Sequence, residues 1–191
     1  YDINPQTKVT IPGEAVGVEG SSIYLKAGET HTVESLLYGL MLRSGNDAAT
    51  ALAICLGGNV DHFVELMNEN ARNCGCRGTN FVNPSGLFDE NHYTTARDLA
   101  CIGKKAMENE TFRQIAGAKQ WGEYTNKNKT VFQYDGGTGI KIGFTEKSGR
   151  TLVASASRGG VDLICVVLND GNWFNDAYAL MDYGFALKGV K

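Results

Sequence analysis

The chain has 191 residues, of which 42% are hydrophobic and 20% charged, a balance that suits one folded domain with a core of its own. Its net charge is −3, and no Lys/Arg block is interleaved with aromatics, so nothing points to nucleic acid. The longest apolar run, Leu163 to Leu168, is far too short to cross a bilayer.

Residues 1 to 30 read as strand-and-turn material rich in Gly and Glu, with Val9-Thr10-Ile11 as a strand. The chain opens at Tyr1 with no Met and no signal-type segment, as if in mid-structure, so upstream sequence is expected. Thr32 has the character of a helix N-cap. After it, Val33, Leu36, Leu37, Leu40 and Met41 fall on one helical face. That helix stops at Ser44-Gly45-Asn46. A second, Ala-rich helix runs from about Asp47 to Leu56 and ends at Gly57-Gly58. A third carries Val60, Phe63, Val64, Met67 and Ala71 on one stripe and stops near Gly75. Turn formers follow at Asn83-Pro84-Ser85-Gly86-Leu87. Thr95 and Asp98 have capping-box spacing ahead of Leu99, Ile102 and Ala106. A short helix is expected after Thr111, around Phe112 and Ile115.

After Trp121 the hydrophobic period changes to two. Strands are expected at 139–145, 150–158 and 161–169. Turns at Glu146-Lys147-Ser148-Gly149 and at Gly159-Gly160 make them an antiparallel meander. A closing amphipathic helix carries Phe174, Tyr178, Met181 and Phe185. The fold class is α+β (mixed), with a helical cluster packed on an antiparallel sheet. One domain is expected over 1–191, its helical part about 30–118 and its sheet plus C-terminal helix about 121–188.

Five cysteines, Cys55, Cys74, Cys76, Cys101 and Cys165, are an odd number for a disulfide framework. They read as buried free thiols; if the protein works outside the cell, that pattern suits a reducing or anoxic setting. Cys74-Gly75-Cys76 lacks histidines at ligand spacing, so neither a metal nor a cofactor is expected.

Two polar clusters break the apolar rhythm. Ser44-Gly45-Asn46 offers a hydroxyl and an amide between two helices, although any interhelical turn favours these residues, with Asn46 or Asp47 as cap. Lys141 lies inside a strand, with Gly143 two residues on, which by itself reads as an edge strand guarded by a lysine.

Order and flanks change the odds. Leu36 to Ala49, with Ser44-Gly45-Asn46 inside it, resembles the second active-site element of the serine D-alanyl-D-alanine carboxypeptidases, the low-molecular-mass penicillin-binding proteins. Phe63 to Asn68, Asn83-Pro84-Ser85-Gly86-Leu87 and Thr95-Ala96-Arg97-Asp98-Leu99-Ala100 are similar to the segments that follow it. Gly139-Ile140-Lys141-Ile142-Gly143-Phe144-Thr145, with Ser148-Gly149-Arg150 after it, resembles the family's Lys-Thr-Gly strand. The likeness runs from about residue 8 to residue 187.

The resemblance implies a β-lactamase/DD-peptidase-like fold with its N-terminal part missing. It also implies a bacterial, extracytoplasmic protein of the cell envelope or secreted. Its members remove the terminal D-Ala from peptidoglycan stem peptides through an acyl-enzyme, and β-lactams acylate the same serine. Ser44, Asn46 and Lys141 would be the catalytic residues. Ser44 would pass a proton to the leaving amine, Asn46 would bind the substrate amide, and Lys141 would draw the substrate carboxylate. Ile142, Gly143, Phe144, Thr145 and Lys127 would bind substrate, the Phe144 backbone N–H as an oxyanion donor. Lys127 enters through Asn126-Lys127-Asn128, similar to an Asn-basic-Asn segment of the family.

Two features depart from the pattern. The family's nucleophile and its base form Ser-x-x-Lys, and no lysine here has a serine three residues before it. Thr138 before Lys141 and Cys101 before Lys104 have the spacing but the wrong setting. The absence reads as a shortened chain. Ile142 stands where the family has Thr or Ser, whose hydroxyl meets a carboxylate in a hydrogen bond worth about 1.5–3 kcal/mol. The expected function is therefore a carboxypeptidase without its nucleophile. The alternatives are a non-catalytic peptidoglycan-binding relative and, third, a serine β-lactamase. Three strands are expected to leave one edge unpaired and one face bare, to be met by the missing N-terminal segment or another chain.

Overall fold

The computed structural model describes residues 4–190. β1 (Lys8–Thr10) pairs antiparallel with β2 (Thr30–Thr32), which leads directly into α1 (Val33–Arg43). The Thr32 side chain accepts from the Ser35 N–H and caps that helix. α2 (Asn46–Gly57) buries Ala48, Ala49, Ala51, Leu52 and Ala53. Its alanines let α1 and α3 (Val60–Asn73) pack closely against it. The first core gathers Ile11, Leu25, Val33, Leu36, Ala48 and Leu52.

α4 (Ala96–Ala106) starts as expected, with Thr95 accepting from the Asp98 N–H. Only half of the capping box forms. The Asp98 carboxylate turns away and accepts from the N–H groups of Arg77 and Gly78 and from Thr79 Oγ1. α5 (Glu110–Gly117) begins ahead of Thr111, because Asn109 is the cap. A small hairpin of β3 (Gln120–Trp121) and β4 (Tyr124–Thr125), and the single turn α6 (Thr130–Gln133), come next.

The meander is β5 (Gly137–Thr145), β6 (Gly149–Arg158) and β7 (Val161–Val167), antiparallel in that order. α7 (Trp173–Leu187) closes the fold. Leu152, Ala154 and Ala156 of β6 pack on Phe174, Ala177, Met181 and Phe185 of α7. The opposite face is not bare, as the strand count alone suggested. Gly103 brings α4 onto it, where an added Cβ would lie 3.4 Å from Val153. The outer sides of β5 and β7 have no strand neighbour among the described residues. The cysteines are half-buried rather than buried. No helix of the described residues is long and apolar enough to cross a membrane.

Candidate active site

Ser44 is the C-cap of α1, with φ 60° and ψ 39°. That is left-handed backbone, where glycine is the usual residue and a side chain costs about 1 kcal/mol. Helix termination alone would select Gly here, so the hydroxyl is kept in spite of the backbone. Ser44→Ala and Ser44→Gly both delete it, but only Gly relieves the strain. The Gly variant is expected to be more stable than the Ala variant by about 1 kcal/mol. Equal unfolding midpoints in urea would contradict this.

The hydroxyl meets Lys141 from the far end of the chain. Cross-strand partners share a face, so Lys141, opposite Val153, projects toward the α4 side of the sheet. Its Nζ donates to Ser44 Oγ at 2.6 Å and to the Ile142 carbonyl at 2.9 Å. Burial, helped by the nearby Lys127 charge, pushes its pKa down to about 8. Lys141 thus sits on an edge strand, as the simpler reading had it, yet its side chain serves the cleft.

The rest of the rim is held from α2 and from the loop before β2. Gly45 is the N-cap of α2, so neither Asn46 nor Asp47 is. The Asn46 side chain donates to the Glu19 carbonyl at 2.7 Å. Gly20, φ +90°, passes so close that a Cβ there would lie 2.7 Å from Asn46 Nδ2. Asp47, 1% exposed, accepts from Ser22 Oγ and from the N–H groups of Ile23, Leu25 and Ala48. Burial alone would raise its pKa, but these hydrogen bonds outweigh burial and hold it below the ordinary value. Lys127 is tied by its N–H to the Leu42 carbonyl, and its Nζ donates to Ser21 Oγ at 3.4 Å. Its pKa is lowered by burial and by Arg43. Asn126 and Asn128 are buried and bond to backbone.

These groups line one open cleft of about 730 Å³. All eight residues singled out from the sequence are on it: Ser44, Asn46, Lys127, Lys141, Ile142, Gly143, Phe144 and Thr145. Ile142 also packs toward the α7 cluster beside Leu152. Phe144 is 65% exposed. The sequence had not marked Ser21, His92 or Tyr93, which line the same cleft. The sequence marks the segment of Ser21 only as strand-and-turn material and assigns no element to the one holding His92 and Tyr93. Burial keeps the His92 pKa below the usual value, against the pull of Asp89. His92 Nδ1 accepts from the Val82 N–H, so its proton resides on Nε2.

The lining holds two lysines and no Asp or Glu, so the cleft attracts an anionic group and leaves it uncompeted. A lysine with lowered pKa in contact with a hydroxyl can share a proton with it. Among the described residues, no group of three or more His, Cys, Asp or Glu is arranged to hold a metal ion.

Comparison with known proteins gives one consistent answer. A family model described as D-alanyl-D-alanine carboxypeptidase matches residues 1–172. The D-alanyl-D-alanine carboxypeptidase DacF of Bacillus subtilis is 35% identical over 176 residues, covering 86% of this chain and 45% of that protein. The D-alanyl-D-alanine carboxypeptidase of Streptomyces sp. strain K15 is 35% identical, covering 97% of this chain and 73% of its own. The crystal structure of the Streptomyces K15 DD-transpeptidase superposes with a TM-score of 0.89 at 34% identity, covering 97% of this chain and 81% of that one. The chain therefore spans a little under half the length of the Bacillus relative.

Proposed function

The chain belongs to the D-alanyl-D-alanine carboxypeptidase family, and from that premise we propose that it supplies the proton-transfer and carboxylate-binding half of a serine D-Ala-D-Ala carboxypeptidase site. The observation that carries the reading is the 2.6 Å contact between Lys141 Nζ and Ser44 Oγ in a cleft whose charged lining residues are both lysines. The substrate is a peptidoglycan stem peptide ending in D-Ala-D-Ala, met in the bacterial cell envelope. β-Lactams are its covalent mimics.

Attack on the penultimate carbonyl requires a serine and a base that these 191 residues do not contain as Ser-x-x-Lys. A segment carrying that element completes the site from outside them, along the sheet edge or the cleft. When the tetrahedral intermediate collapses, the leaving D-Ala amine needs a proton. Ser44 Oγ delivers it and is reprotonated by Lys141, whose pKa of about 8 makes the transfer close to balanced near neutral pH. Lys127 and Lys141 attract the terminal carboxylate. Asn46 gives one amide N–H to the Glu19 carbonyl, and its Oδ1 is the group that accepts from the substrate amide. In this reading, carried over from the family resemblance, the Phe144 N–H is a donor to the developing oxyanion, and Gly143 and Thr145 belong to the strand against which the peptide lies.

Labelling with a fluorescent penicillin tests this. A polypeptide that joins the chain to a Ser-x-x-Lys segment of the family is expected to take label on that serine, and the 191-residue chain alone none. Label on the chain alone would overturn the assignment of the nucleophile. Neither label nor D-Ala release from the joined polypeptide would leave a non-catalytic peptidoglycan-binding relative, the reading that Ile142 favours. In the joined polypeptide, Ile142→Thr is expected to speed acylation by roughly tenfold or more by restoring one charge-assisted hydrogen bond. An unchanged rate would remove Ile142 as the weak point.

A further inference from the structure

Three of the five cysteines converge away from the cleft. On α4, Asp98, Cys101 and Lys105 are spaced i, i+3 and i+7, so they share one face. The turn Cys74-Gly75-Cys76, which ends α3, lies over that face. Cys76 Sγ is 3.5 Å from the Asp98 carbonyl oxygen. Cys74 lies near enough to Lys105 for its charge to be felt there. Cys101 stands between them on that face, near enough to Cys76 for the two thiols to feel one another. All three residues are half-buried.

We propose that Cys76 and Cys101 form a dithiol–disulfide site that reacts with low-molecular-mass disulfides. The Cys76 thiolate attacks the external disulfide, forming a mixed disulfide and expelling one small thiolate. The Cys101 thiolate then attacks Cys76 Sγ, forming the internal bond and expelling the second. Two protein thiols lose two electrons and two protons, and one external disulfide is reduced to two thiols. The pairing matters because Cys76 immediately precedes Arg77, Gly78 and Thr79, which Asp98 holds. Asn80 then bridges to Tyr93 on the cleft wall. The bond pins the base of the segment that forms that wall. It is independent of the carboxypeptidase reading.

Burial, with Asp98 and the neighbouring thiols adding to it, keeps the Cys76 pKa above the usual thiol value, so the rate rises with pH through the mildly alkaline range.

The test is to incubate the 191-residue chain with oxidised glutathione, alkylate the remaining thiols, and digest with trypsin without reduction. The expected product joins the peptide Asn73–Arg77 to the peptide Asp98–Lys104 and loses the mass of two hydrogens. Cys55 and Cys165 are expected to be alkylated. Cys76→Ala should abolish the link and Cys74→Ala should keep it. The proposal is overturned if the same link forms equally fast in urea, if it survives Cys76→Ala, or if Cys101 remains fully alkylatable.

Discussion

Asp47→Ala is expected to lower the stability of the chain by about 3–5 kcal/mol, the scale for removing a buried carboxylate on which several hydrogen bonds converge. The carboxylate is 1% exposed and accepts from one hydroxyl and three backbone N–H groups. Removing it leaves the N–H groups of Ile23 and Leu25 without an acceptor in a site water does not readily reach. Those groups belong to the loop whose earlier residues, Glu19 and Ser21, hold Asn46 and Lys127. The same substitution is therefore expected to loosen the cleft rim. Asp47→Asn should be intermediate, because its amide keeps one oxygen acceptor but turns an N–H toward donors.

The pH dependence has a definite sign. The folded pKa lies below the ordinary value, so the stabilisation is complete above the unfolded carboxylate pKa and is lost as pH falls through the folded one. Urea unfolding of the two variants beside the parent measures it. A loss below about 1 kcal/mol for Asp47→Ala at neutral pH would show that the loop is held by other means.

Lys141→Met is expected to act in the opposite direction on stability while removing the proposed proton shuttle. Lys141 is a lysine whose pKa is carried from 10.5 to about 8 by burial. Below that value the fold holds a charge that the unfolded chain accommodates more cheaply. The penalty is at most about 3 kcal/mol from the size of the shift. Part of it is offset in the variant by the lost hydrogen bonds to Ser44 and Ile142, so a gain of about 1–2 kcal/mol is expected at pH 7. Between the folded and unfolded pKa values the unfolded parent binds the extra proton, so parental stability rises with pH there. The advantage of the variant should therefore shrink from pH 8 to pH 10.5. A difference that stays constant over that window would place the Lys141 pKa elsewhere. In the joined polypeptide, the variant is expected to lose penicillin acylation by a factor of about 10² or more.

Most of the elements could be read directly from the chain because their causes are local. Thr32 and Thr95 cap where they were expected to cap, since a cap needs only a side chain and an amide three residues on. The meander follows from alternation and two glycine-bearing turns. What escaped was too short to show a period: the two-residue strands β3 and β4 and the single turn α6. Asn109 displaced the start of α5 because a better cap stood two residues before Thr111. Asp47 looked like a helix cap and is instead the anchor of a loop more than twenty residues away. Asp98 does the same for residues 77–79. A carboxylate in the first turn of a helix has the same local signature in both roles. Only the packing of a second segment against it tells them apart.

By itself the sequence determined that helices precede a three-stranded meander, that Ser44-Gly45-Asn46 interrupts two helices, that Lys141 stands in a strand, and that no lysine has a serine three residues before it. Each of these is a statement about neighbours within a turn or two. The tertiary structure alone decided that Lys141 touches Ser44 across 97 positions and that Lys127 reaches Ser21 across 106. It also decided that a lysine on an edge strand turns inward to titrate near pH 8. The physical reason is that such contacts follow from how apolar faces bury one another. The Ala-rich α2 and Gly103 of α4 set the distances between elements, and the cleft is the space those distances leave.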